Sequence, residues 1–126
     1  MGKRYLLDTN TVIDYMSDKL PVKAKTTIAQ IIDEEINLSA INKIELLGFS
    51  KVEQYLIDFV SCSNIFPIND DIVEKTIELR RLHRIKLPDA IIAATALQYG
   101  FTLITNNTKD FLKIDNLKVI NPYESY

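Results

Sequence analysis

The sequence predicts an α/β fold of three layers, α/β/α, with helices on both faces of a central parallel sheet. Three observations carry this expectation. Short runs of apolar and β-branched residues (RYLL, INLS, IFPI, FTLIT, LKVI) alternate along the chain with longer segments of helical periodicity. Strands separated by helices run parallel, because the helix carries the chain back to the edge from which the previous strand started. With only three glycines and four prolines, no linker divides the chain, so residues 1–126 are expected to form a single domain.

Each element has a local reason. RYLL (4–7) is a short apolar strand, and TVIDYM opens a short helix with Thr9 and Asn10 as cap residues. Residues 22–35 form a helix with Ile28, Ile31 and Ile32 turned inward, followed by the strand INLS (36–39). AINKIELL (40–47) is a helix closed by Gly48, and 51–60 is another. IFPI (65–68) reads as an edge strand, since Pro67 has no N–H to give to a ladder. Residues 70–83 form a helix, and 88–99 another, opened by Pro88 and stopped by Gly100. FTLIT (101–105) and LKVI (117–120) complete the strands.

Composition narrows the function. Hydrophobic residues make up 47% and charged residues 25%, as in ordinary globular proteins, and no repeat or low-complexity segment occurs. Cys62 is the only cysteine, which excludes an internal disulfide and a multi-cysteine zinc site and fits a reducing cytoplasm. No apolar run is long enough to span a bilayer, Asp8 interrupts any signal-peptide core, and Leu6 stands where a myristoylation signal needs Ser or Thr. A cytoplasmic, membrane-free protein is expected. The formal charge of −2 argues against a protein that merely coats nucleic acid; without Asp8, Glu45, Asp89 and Asp110 it would be +2.

Those four acids are the chemically informative residues. Ligands of open parallel sheets bind at the carboxyl ends of the strands. Asp8 follows YLL directly, and Thr105, Asn107 and Asp110 follow or end FTLIT. Glu45 lies in mid-helix on a line with Ile41 and Gly48, and Asp89 opens a buried helix in line with Ala93 and Ala96. Carboxylates gathered in one cleft raise one another's pKa unless a cation neutralises them, and oxygen ligands without His or Cys partners select Mg²⁺, or Mn²⁺, over zinc. Each acid also has a structural reading: Asp8 as a helix cap, Asp89 as a first-turn acid on the helix dipole, Asp110 bonding its own backbone. Asp14 is assigned to its own helix, and His83, the sole histidine, to a helix face.

Four blocks then resemble, in order, the motifs of PIN-domain ribonucleases, and most closely the VapC-type toxins of prokaryotic toxin–antitoxin pairs: YLLDTNTVIDY, LSAINKIELLGF, LPDAIIAATALQYG and TLITNNTKDF. The resemblance extends over nearly the whole chain. It implies a PIN-like fold and a Mg²⁺-dependent endoribonuclease that uses Asp8, Glu45 and Asp89. Asp8 and Asp89 would hold the metal, with Thr9 and Thr105 as hydroxyl partners of the acids. Asn107 stands where many relatives carry Asp, a departure from a full four-acid set, and Asp110 matches the acid that often precedes Phe in that block. The resemblance also implies an antitoxin partner and a homodimer.

An RNA substrate calls for positive charge near the acids. Arg80, Arg84 and Lys86 precede Asp89, and helical spacing would place Arg80 and Arg84 on one line. Two other readings are weighed. A phosphoaspartate receiver needs a second acid adjacent to Asp8, which is missing, and gives Glu45 no task. A catalytically weak PIN module that binds RNA or protein fits Asn107 but leaves the acids unexplained.

Overall fold

The computed structural model describes residues 2–124. In chain order the elements are β1 (Tyr5–Leu7), α1 (Thr9–Met16), α2 (Val22–Glu34), β2 (Asn37–Ser39), α3 (Ala40–Leu47), α4 (Gln54–Ser61), β3 (Asn64–Phe66), α5 (Asp70–Leu82), α6 (Leu87–Tyr99), β4 (Thr102–Ile104), α7 (Thr108–Phe111) and β5 (Val119–Ile120). Every strand pairing is parallel: β4 lies between β1 and β5, and β2 pairs with β3. The two ladders meet along β1 and β2, where the Asn37 amide donates to the Tyr5 carbonyl at 3.0 Å.

The layering follows from the period of two along each strand. Leu6, Leu103 and Val119 are partners across the ladders and face one core, built with α5 and α6 from Ile72, Leu79, Ala90, Ala93 and Ala94. Their neighbours Leu7, Ile104 and Ile120 face the opposite core, built with α1, α2 and α4 from Val12, Ala24, Ile28 and Phe59. Helices therefore cover both faces of a parallel arrangement, as the alternating pattern predicts. α6 is buried almost all round, with Ala90 to Ala96 sealed between the sheet and its neighbours; alanine is small enough for α5 to lie close.

Helix ends carry their sequence signals. Pro88 lies in the first turn of α6, and Gly100 closes it at φ 70°, a conformation that costs glycine nothing. Gly48 ends α3 for a different reason: a Cβ there would stand 2.5 Å from the Ile44 carbonyl oxygen. Asn69 caps α5 by accepting from Ile72 N–H at 3.0 Å.

Several expectations are corrected. The cap of α1 is Asp8, extended at φ −77° and ψ 157°, so Thr9 and Asn10 lie inside the helix. α4 begins at Gln54, three residues later than its apolar pattern suggests. β3 stops before Pro67, and the helical turn α7, too short to show a period, was not legible. α5 ends at Leu82 with His83 extended (φ −136°, ψ 150°), so Arg80 and Arg84 do not share a helical line. No helix among the described residues is long and apolar enough to cross a membrane.

Candidate active site

The carboxyl ends of β1 and β4 lie side by side, because Leu7 pairs with Ile104, and the next residues of each strand, Asp8 and Thr105, meet. Asp8 is buried, 5% exposed, and its carboxylate is surrounded by donors. Oδ1 accepts from Thr9 N–H at 2.9 Å and from Asn42 Nδ2 at 3.4 Å; Oδ2 accepts from the Thr105 hydroxyl at 2.8 Å and from Asn10 Nδ2 at 3.2 Å. Burial is the largest influence and raises the Asp8 pKa, the Thr105 and Thr9 bonds oppose it, and the Glu45 charge adds to the rise. Asp8 is thus both the cap of α1 and a buried carboxylate held ready for a cation.

Glu45 projects from α3, which packs against both α1 and α6. It is exposed, and its Oε1 accepts the Thr9 hydroxyl at 2.6 Å. Asp89 opens α6 and is half-buried. Its pKa is pushed up to about 6, first by burial and then by the charges of Asp8, Asp110 and Glu45, with Lys86 pulling the other way. Among the described residues no donor is hydrogen-bonded to its carboxylate, in contrast to Asp8. At the end of β4, the Asn107 N–H donates to Thr105 Oγ1 at 3.0 Å, and one Asn107 amide N–H donates to Asp110 Oδ2 at 3.1 Å.

The acids therefore share an electrostatic field without sharing a centre. Among the described residues no three His, Cys, Asp or Glu side chains converge as a finished metal cage. The donor set fits Mg²⁺ or Mn²⁺, which take one or two carboxylates and fill the remaining positions with water. Asp89, partly buried and raised by three neighbouring acids, is the group such an ion would relieve.

Of the residues selected from sequence, Asp8, Thr9, Glu45 and Thr105 form one hydrogen-bonded set, Asn107 and Asp110 join it through Thr105, and Asp89 faces it electrostatically. Lys86 lies close enough to act on Asp89, while Arg80 and Arg84 are exposed, and among the described residues neither forms a salt bridge with the acids. The Arg84 carbonyl accepts from Lys113, which ties the segment before α6 to the chain after α7. Two amides were missed as site members. Asn10 bridges Asp8 and Thr105 (3.1 Å to the latter) and accepts from Asn106 N–H at 3.1 Å. Asn42 reaches Asp8 and Thr9; its signal in sequence is Ser39 three residues before it, a capping-box spacing. Asp14, assigned from sequence to its own helix, instead accepts from Tyr123 Oη at 2.7 Å and Asn106 Nδ2 at 3.4 Å on other segments.

Comparison with known proteins agrees with this architecture. The family model for the PIN domain matches residues 5–117. A chain of a toxin–antitoxin complex from Klebsiella pneumoniae is 37% identical, with a TM-score of 0.75 over 96% of this chain and 99% of its own. A chain of VapBC2 from Rickettsia felis, solved bound to a DNA fragment from their promoter, is 28% identical, with a TM-score of 0.75 over 93% of this chain and 97% of its own. A chain of FitAcB from Neisseria gonorrhoeae is 26% identical, with a TM-score of 0.73 over 96% of this chain and 99% of its own. No curated protein matches the chain. With the family model covering nearly its full length and a 37%-identical relative aligned end to end, the chain belongs to the PIN-domain family, as a VapC-type member.

Proposed function

We propose that the protein is a Mg²⁺-dependent endoribonuclease acting as the toxin of a type II toxin–antitoxin pair, with residues 1–126 as one PIN-like domain. The observation that carries this reading is Asp89: a partly buried carboxylate with its pKa at about 6, pressed by burial and by Asp8, Asp110 and Glu45. Such an arrangement costs the folded protein stability and is retained where a cation offsets it.

Asp8 and Asp89 would hold the divalent ion, the first fixed by its donors. When bound, the ion would polarise the scissile phosphate, make water more acidic and neutralise charge growing on the phosphate oxygens. Glu45 has one oxygen tied to Thr9, so its other oxygen is available to accept the proton of the attacking water. As the water oxygen bonds to phosphorus, the P–O bond to the departing sugar oxygen breaks. Thr105 holds Asp8, and through its backbone bond with Asn107 it sets the turn that carries Asp110. Asn107 keeps a second amide N–H to offer a phosphate oxygen. Lys86, with Arg80 and Arg84, would contact the RNA backbone and leave base choice to other features.

The toxin–antitoxin complexes among the relatives support an antitoxin protein as partner. A homodimer and a cytoplasmic site of action belong to the same proposal. The receiver reading fails on the family match, and the four engaged acids favour catalysis over a module that only binds. Incubation of the purified protein with a panel of RNAs tests the proposal. Cleavage is expected with Mg²⁺ or Mn²⁺, none with EDTA, and none by Asp8→Asn or Asp89→Asn. Full cleavage in EDTA, or by either variant, would refute it.

A further inference from the structure

Asn42 is completely buried, 0% exposed, at the third position of α3. Its carboxamide can sit only one way round. Oδ1 accepts the Ser39 N–H at 2.9 Å, which completes the capping box, so Nδ2 must face the acids. There it donates to Thr9 Oγ1 at 3.1 Å and reaches Asp8 Oδ1 at 3.4 Å. Thr9 Oγ1, already an acceptor, turns its own proton to Glu45 Oε1 at 2.6 Å. The result is a hydrogen-bond chain of fixed direction: Ser39 backbone to Asn42, Asn42 to Thr9, Thr9 to Glu45.

We propose that Asn42 is a positioning residue for the nuclease site: it uses the start of α3 as an anchor to orient Asp8 Oδ1 directly and Glu45 through Thr9. This rests on the reading of Asp8 and Glu45 given above. Capping alone would need only Oδ1; the Nδ2 side adds nothing to the helix and touches only groups of the site. Being buried, Nδ2 has no water to stand in for it, so loss of the amide leaves the Thr9 hydroxyl unset and one Asp8 oxygen short of a donor. The chain also decides which Glu45 oxygen is occupied, and so which one meets the incoming water.

Ser39→Ala is the matched control. It removes the other half of the capping box, the Ser39 Oγ acceptor of Ile41 N–H at 3.2 Å, and leaves the donor chain in place. Melting temperature, Mn²⁺ affinity by calorimetry on the metal-free protein, and kcat and KM on a cleaved RNA are measured for both variants. Both Ser39→Ala and Asn42→Ala should melt a few degrees lower. Only Asn42→Ala should bind Mn²⁺ less tightly and lose about tenfold or more in kcat, with KM little changed, as expected for a residue that supports ligating groups from behind. Asn42→Leu, which keeps the volume and removes the donor without adding a carboxyl beside Asp8, should lose kcat to a similar degree; it serves also if Asn42→Ala fails to fold. Equal behaviour of Ser39→Ala and Asn42→Ala in kcat and Mn²⁺ affinity would overturn the proposal, as would wild-type kcat in Asn42→Leu. If the wild-type protein cleaves no RNA, the nuclease reading fails separately, and the Mn²⁺ comparison alone decides the role of Asn42.

Discussion

Replacing Asp89 by Asn should stabilise the metal-free protein at neutral pH and abolish its activity. Burial, and then the charges of Asp8, Asp110 and Glu45, raise the Asp89 pKa from 3.8 to about 6. The folded state thus binds this proton more tightly than the unfolded chain does. Stability falls as pH rises from about 4 to about 6, and the penalty is complete above that. Unscreened, a rise of that size corresponds to about 3 kcal/mol. Asp89 is only partly buried, and solvent screening reduces this to about 1–1.5 kcal/mol. Asn keeps the shape and removes the charge, so Asp89→Asn should melt about 3–6 °C above wild type in EDTA at pH 7.5. The advantage should vanish near pH 4, where wild-type Asp89 is largely protonated. A divalent ion reverses the ranking: at about a hundred times its Kd it stabilises wild type by about 2.7 kcal/mol, more than the variant's advantage, and the variant by much less. Differential scanning fluorimetry at the two pH values, with EDTA and with Mg²⁺, measures all four cases. An equal or lower melting temperature for the variant in EDTA at pH 7.5 would refute the reasoning, and so would a gain that persists at pH 4.

Other expectations follow from the same geometry. Thr105→Val removes the hydroxyl that lowers the Asp8 pKa, so the Asp8 carboxyl should titrate higher in a ¹³C-detected NMR titration of the metal-free protein; an unmoved pKa would mean that bond is weak. Arg80→Ala combined with Arg84→Ala should weaken RNA binding across sequences and flatten its dependence on salt, read by titrations at several salt concentrations; an unchanged slope would make these two arginines solvated surface. Asn107→Asp should add charge beside Asp110, tighten Mn²⁺ binding and favour a second ion about 4 Å from the first. Calorimetry counts the ions, and two ions of similar affinity in wild type would show that Asn107 is no handicap.

Much of this was legible in the linear sequence. Alternation of short apolar runs with helical segments determined the parallel α/β class, since local period and chain connectivity leave few other arrangements. Caps and stops are local, so Pro88, Gly48 and Gly100 marked their helix ends directly. Asp8 and Thr105 could be assigned to one sheet edge, because each ends a strand of a parallel ladder. Tertiary structure alone decided the rest. α7 is a single turn with no period to read, and the end of α5 at Leu82 separates Arg80 from Arg84 despite their spacing. Asp89 belongs to the acid group through the fields of Asp8, Asp110 and Glu45, residues far from it in sequence or on other elements. Asn10 and Asn42 read as ordinary helix-start residues, because an amide's importance lies in which atom faces which neighbour. That orientation is set only when β1, β4 and α3 pack together and water is excluded from between them.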